Sequence, residues 1–508
     1  MRRLANISGI TFALFLVWKV SLLWFAAQPV PANDAFFYDG PAVNYVLHGK
    51  YCNPSLAQVL PISGTEVFCA YPPLYQLALV GWMKCFGTSA LAAMWFHAVL
   101  LGIFALTVLK IFRQLQVPAV AVNLAGLFLF GLTFHDRPDT LAHVWGALAM
   151  LALVRGFVWP TAVFLLLTFA TSLQIGGIYS LWVALVILGG ACLGKTKIPW
   201  AAALTFGGAL VGLLALVKFG YPHLWAGFRE HVNMTPSLTG WRMPQMDELL
   251  KIVRTAPGIL LVLVALAWFG RKPGELADSL SRSPQMLLAG LGAVAALALL
   301  GGCLFILTPN TIHVAYYMQP IIVGCFLAAL ANGFGDWKLN RVTQVMFIAA
   351  ALLVSIRAIG ISTWGIWCVR DVSYPQTLAA VNTELDGVPV GGKVFVSAAY
   401  LYETARRTNL TWIHSDWPAR SIVADWELRA IKDLRPAKLL LTQFDYFRRY
   451  EAVVAQFRRE RGDVAVRIDN LARVQAPDAM SATRKVVQHI SWAPVIVEFS
   501  WPPPGETK

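Results

Sequence analysis

Residues 9–27 read GITFALFLVWKVSLLWFAA, and after a short break residues 33–40 read NDAFFYDG. The first stretch is about 19 residues of apolar character, enough for one helix to cross the hydrocarbon core of a bilayer. Arg2 and Arg3 precede it, a pattern shared with secretory signal peptides. Its length, and the many apolar segments that follow, favour an uncleaved signal-anchor with its N-terminus in the cytoplasm. The second stretch then sets two carboxylates, Asp34 and Asp39, among aromatic side chains at the outer edge of that first span.

Further apolar segments fall near 71–86, 89–109, 119–134, 141–158, 161–173, 178–193, 199–217, 257–270, 285–307, 316–334 and 342–364. Apolar residues make up 57% of the 508 and charged residues 13%, against roughly 25% charged in soluble proteins. The deficit is uneven: residues 371–508 hold 34 charged side chains, and the first 370 residues hold the other 34. The expected fold class is therefore an α-helical polytopic membrane region, residues 1–369, followed by a soluble domain at 370–508. This excludes a wholly soluble enzyme and a disordered chain.

Of the net charge of +14, the first 370 residues carry +12 and the remainder +2. Excess base within the membrane part belongs to cytoplasmic loops facing anionic lipid. A nucleic-acid partner would need a basic face on the soluble part, which is nearly neutral.

Counting 71–86 as a span would put Lys110 and Arg113 outside. Reading it instead as an interfacial helix entered through Tyr71-Pro72-Pro73 sorts the loops well. Arg2, Arg3, Lys110, Arg113, Arg155, Lys195, Lys197, Arg271, Lys272, Arg282, Lys338 and Arg341 then face the cytoplasm, and the short outer loops receive only Arg137. About 11 spans result, with the 161–193 block split at Thr171–Gly177. The outer face receives a loop at 28–70, a second at about 218–256, and the C-terminal region. That region mixes β-branched runs (393–397, 439–442, 464–468, 495–499) with helical stretches at 400–407 and 445–460, as a small α/β or α+β domain does.

Only 11 acidic residues occur in the first 370, and five of them gather on the outer face: Asp34, Asp39, Glu66, Asp136 and Asp139. An ionisable group near hydrocarbon costs roughly 2.5–3.5 kcal/mol on insertion scales, so its placement points to function. Asp39 and Glu66 read first as solvated interfacial residues. As site residues they stand with Tyr38, His135 and Asp136 as candidate substrate contacts. Of the seven cysteines, Cys52 and Cys69 share one polar outer loop, where either a disulfide or two free thiols fits an oxidising compartment.

The order of these features resembles the GT-C glycosyltransferases of the protein-mannosyltransferase and aminoarabinose-transferase superfamily. An acidic residue followed by aromatics (Asp34 through Tyr38) comes just after span one. A Pro-Pro-Leu helix entry follows at 72–74, and an Arg137-Pro138-Asp139 turn two spans later. The resemblance runs in order through residues 1–193 and more loosely to about 364. It departs at Ala35, where many relatives carry a second acid, and at Gln174, where relatives often carry a basic residue.

What the resemblance implies is transfer of a sugar from a polyprenyl-phosphate donor, at the outer face of a bacterial inner membrane, to a glycan, lipid or protein acceptor. A divalent cation is left open. Asp34 is the candidate general base for the acceptor hydroxyl. Arg137 supplies positive charge for the leaving phosphate, and Asp139 either orients the acceptor or holds Arg137. Phosphate contacts are sought in His313, Tyr316 and Tyr317, and in Arg229, His231 and Arg242. The alternatives are a transporter or flippase of a lipid-linked substrate and an assembly protein acting through its C-terminal region. The transferase reading requires Asp34 and Asp139 to share one cavity.

Overall fold

The computed structural model describes residues 9–31, 33–57, 60–117, 119–130, 137–192, 194, 197–234, 341–415, 426–461, 464–468 and 491–501. The chain begins with α1 (Ile10–Ala26), followed by α2 (Asn33–His48), α3 (Leu74–Phe86), α4 (Ala90–Gln114) and α5 (Ala119–Leu129). Then come α6 (Asp139–Val154), α7 (Val158–Thr171), α8 (Leu173–Cys192), α9 (Trp200–Ala215), α10 (Pro222–Met234) and α11 (Arg341–Cys368). Among the described residues, three helical stretches are long and apolar enough to cross a membrane: Ala90–Gln114, Leu173–Cys192 and Trp200–Gly220. α1, α6 and α7 are shorter apolar helices. The segments at 257–270, 285–307 and 316–334 lie outside the described residues.

The local reasons are visible in the sequence. Ser89 caps α4 by accepting from the Ala92 amide, and 25 residues follow before Leu115 ends the helix. α3 opens after Pro72-Pro73 and stops at Gly87, whose φ of 91° lies in the left-handed region that favours glycine. Its 13 residues rise roughly 20 Å, less than a crossing requires. The long 161–193 block breaks at Ser172, which is extended, and divides into helices of 14 and 20 residues.

α2 is built around an interruption. Pro41 lies inside it and has no N–H for the Phe37 carbonyl. Asn53 docks at this turn: its Nδ2 donates to the Phe36 carbonyl at 2.9 Å and more weakly to that of Phe37 at 3.5 Å. A Cβ at position 40 would run into the Asn53 side chain, so Gly40 admits this contact. Ser55 Oγ donates to Asn53 Oδ1, and the Asn53 amide donates to the Ser63 carbonyl, so the 50–70 loop is laced onto α2.

The C-terminal region contains α12 (Tyr374–Asp386), β1 (Lys393–Val396), α13 (Leu401–Ala405), β2 (Thr411–His414), α14 (Trp426–Leu434), β3 (Lys438–Thr442), α15 (Glu451–Arg461), β4 (Val464–Ile468) and β5 (Pro494–Phe499). The sheet order is β2-β1-β3-β5-β4. β1 runs parallel to β2 and β3, whereas β5 runs antiparallel to β3 and β4. Four of these strands coincide with the expected β-branched runs; β2 is an addition.

Both faces of this sheet are buried, and the two-residue period of the strands sorts their side chains. Phe395, Ile413, Leu439, Leu441, Val495 and Val497 pack with Ile431, Tyr450, Val454 and Phe457. Val394, Val396, Trp412, Leu440 and Ile496 point the other way, into a core continuous with the buried side chains of α1 to α8. The C-terminal sheet is thus one wall of the same core as the helical region.

Candidate active site

Asp34 lies in the first turn of α2, and Tyr38 lies one turn further on the same face. Arg137 precedes α6, whose first residue is Asp139, with Pro138 between them. The fold brings the two segments together: Arg137 Nη1 is 2.5 Å from Asp34 Oδ2, and Arg137 Nε is 2.6 Å from Asp139 Oδ2. The guanidinium carbon also lies 5.6 Å from the centre of the Tyr38 ring, a cation–π distance.

The two carboxylates are not equivalent. The side chain of Asp139 is 3% exposed and that of Arg137 is 10% exposed, whereas Asp34 keeps 26%. Asp34 can therefore meet an incoming hydroxyl, while Asp139 lies beneath the guanidinium and holds it.

An aromatic wall borders the cluster. The Tyr71 ring meets that of Tyr38 edge-on at 4.9 Å, and His231 of α10 lies 5.9 Å from Tyr71 and 5.3 Å from Phe37. Burial pushes the Tyr71 phenol well above its ordinary value; the neighbouring Tyr38 adds to the rise and Arg137 opposes it. Burial pushes His231 down to about 4, which keeps the imidazole neutral. In the sequence Tyr71 stands out only as part of a helix entry, and its place beside a Pro-Pro step is the signal of a fixed loop. Arg229 is exposed.

Asp39 departs from its first reading as a solvated residue. It is 1% exposed, and its hydrogen bonds go to tyrosines of two other elements. Tyr75 of α3 donates to its Oδ1 at 2.6 Å, and Tyr402 of α13 donates to its Oδ2 at 2.8 Å. Burial pushes this carboxyl up to about 7, while the two phenolic hydrogen bonds pull the other way. Glu66 is exposed at the end of a π turn, Ile62–Glu66, and is not part of the ion-pair cluster. His135, Asp136, Arg242, His313, Tyr316 and Tyr317 lie outside the described residues.

The disulfide alternative for Cys52 and Cys69 is not what the structure contains; both are free thiols. The backbones approach, with the Phe68 amide donating to the Tyr51 carbonyl at 2.7 Å, but the sulfurs turn to separate partners. Asn44 Nδ2 donates to Cys52 Sγ at 3.3 Å, and Cys69 Sγ donates to the Val67 carbonyl at 3.4 Å. Gly227 of α10 packs so closely on Cys69 Sγ that a Cβ there would collide with it. Among the described residues, no group of three or more His, Cys, Asp or Glu side chains is placed to hold a metal ion.

The chain matches no family model and no curated protein. Solved structures do match it along nearly its whole length. ArnT from Cupriavidus metallidurans bound to undecaprenyl phosphate superimposes with a TM-score of 0.51 at 14% identity, over 96% of this chain and 97% of that one. The apo state of the same protein gives 0.53 at 13% identity with the same coverage. The chain has a GT-C-like fold. Within the GT-C-like fold, the motif order read from residues 1–193 corresponds to residues that meet in space, with α2 and the turn before α6 facing one another through Arg137.

Proposed function

We propose that this integral membrane protein is a glycosyltransferase that moves a sugar from a polyprenyl-phosphate donor to an acceptor hydroxyl at the outer face of a bacterial inner membrane. The observation that carries the reading is the convergence of Asp34 and Asp139 on one guanidinium across 103 residues of sequence. The GT-C-like fold supports it, as does the binding of undecaprenyl phosphate by ArnT.

In this mechanism the acceptor hydroxyl gives its proton to Asp34 as its oxygen forms a bond to the anomeric carbon. The bond from that carbon to the phosphate oxygen breaks, and the polyprenyl phosphate leaves with the electron pair. Arg137 stabilises the charge that develops on the leaving phosphate. It holds Asp34 through Nη1, a contact that a phosphate oxygen can take over. Arrival of the donor then releases Asp34 to act as the base, while Asp139 keeps the guanidinium in place. The 28–70 loop and the C-terminal region lie on the same outer side as this site.

The test is transfer itself. Purified protein incubated with a panel of radiolabelled polyprenyl-phosphate sugars and a membrane extract as acceptor should yield labelled product with at least one donor. No transfer from any donor, with the protein folded and inserted, would count against the reading.

A further inference from the structure

Three contacts tie α2 to the C-terminal region, and none involves the Arg137 cluster. Tyr402 donates to Asp39 at 2.8 Å. His48 Nε2 lies 2.8 Å from the Ala405 carbonyl, on the same short helix as Tyr402. The Phe36 ring packs on His414 of β2 at 4.2 Å and on Trp412 at 5.5 Å. From Asp39 to His48 is nine residues, roughly 13 Å of helix, so α13 grips α2 at two well-separated points.

The hydrogen bonds at Asp39 have a direction. Tyr75 has one hydroxyl proton, and it goes to Asp39 Oδ1. The Tyr75 oxygen also lies 2.9 Å from His97 Nε2 of α4, so that nitrogen carries the proton and donates. The chain runs from His97 to Tyr75 to Asp39, and Tyr402 closes it from the opposite side. Asp39 therefore joins α2, α3, α4 and α13 through its two oxygens, five residues along the helix from Asp34.

We infer that Tyr402 and Asp39 are positioning residues through which the C-terminal region holds α2, and with it Asp34, in register with Arg137. This rests on the catalytic reading of Asp34 given above. Tyr402 meets α2 at Asp39, whereas Arg137 lies on a different segment, the turn before α6, so the pair bears on the placement of the base rather than on the binding of the donor. A displacement of about 1 Å at a catalytic group costs up to a hundredfold in rate.

The experiment compares wild type, Tyr402→Phe, Asp39→Asn and Asp34→Asn in full-length detergent-purified protein, using the donor found active in the panel. Donor binding gives the number of competent sites and their affinity, and turnover is expressed per competent site. Tyr402→Phe should lower kcat roughly ten- to hundredfold with donor affinity within about twofold of wild type. Asp39→Asn provides the second variant, because its amide nitrogen would face a phenol that needs an acceptor; it should show the same split. A fall in activity explained by fewer binding sites, or kcat per site within about twofold of wild type, overturns the positioning role while Asp34→Asn stays inactive. Full turnover in Asp34→Asn overturns the catalytic reading, and the positioning role falls with it.

Discussion

Arg137 reaches Asp34 through Nη1 at 2.5 Å, joining the first turn of α2 to the residue two positions ahead of α6. The pair places a partly exposed carboxylate against a buried cation, the arrangement a base released by an arriving anionic donor would need. Asp34→Asn keeps the size of the side chain and removes the proton acceptor. Transfer should fall by roughly 10²–10⁴-fold in protein that still inserts and folds. A loss of only two- or threefold would remove Asp34 as the base.

Arg137→Ala strips the cation from two carboxylates, one of them 3% exposed. Breaking a buried ion pair costs roughly 3–5 kcal/mol, and thermal unfolding in detergent should show the loss. In the fraction that remains folded, the donor KM should rise, since positive charge at the phosphate is gone. Unchanged donor KM and unchanged stability together would show that Arg137 serves neither role.

Burial raises Asp39 to about 7 in the folded chain, above its ordinary 3.8. Between these values the folded state keeps a proton that the unfolded state has released. This group therefore makes stability fall as pH rises from about 4 to about 7, with no further change above. Asp39→Asn should flatten that decline in melting temperature measured across pH 4–8. A variant whose profile parallels wild type would place the titration elsewhere.

Cys52 and Cys69 should both be alkylated when unreduced protein is denatured and treated with iodoacetamide. Burial pushes the Cys69 thiol up to about 11, so its modification in the folded protein at pH 8 should be slow. Recovery of a linked peptide pair by non-reducing mass spectrometry would contradict the free thiols.

A reporter fused after Arg370 tests the orientation. It should be active as a periplasmic fusion and silent as a cytoplasmic one, because the excess Lys and Arg sorts to the opposite side. The reverse pattern would invert the topology.

The Arg137 cluster was legible because charge is scarce in an apolar chain, so each carboxylate near a span edge stands out. Tyr402 was not legible. It lies 363 residues from Asp39, and a tyrosine in a soluble-looking region carries no sign of the carboxylate it meets. Asp39 read as solvated for the same reason: its burial comes from α3 and α13 closing over it, which local sequence does not express. β2 escaped notice because its four residues, Thr411–His414, open on an exposed threonine and close on a histidine. The Val-Phe-Val of β1 and the Leu-Leu-Leu of β3 are apolar runs that announce themselves.

The grip on α2 also sets an order on biosynthesis. Asp34 emerges among the first residues, but the side chains that seat its helix, Tyr402, Trp412 and His414, are translated some 370 residues later. Trp492, whose Nε1 donates to the Ala27 carbonyl at the exit of α1, comes later still. At about 5–20 residues per second, the ribosome leaves the first loop unsealed for tens of seconds. A nascent chain halted before α13 would lack all of these contacts and leave Phe36 and Asp39 uncovered on that side, a state open to proteases and chaperones in which α2 is not yet seated.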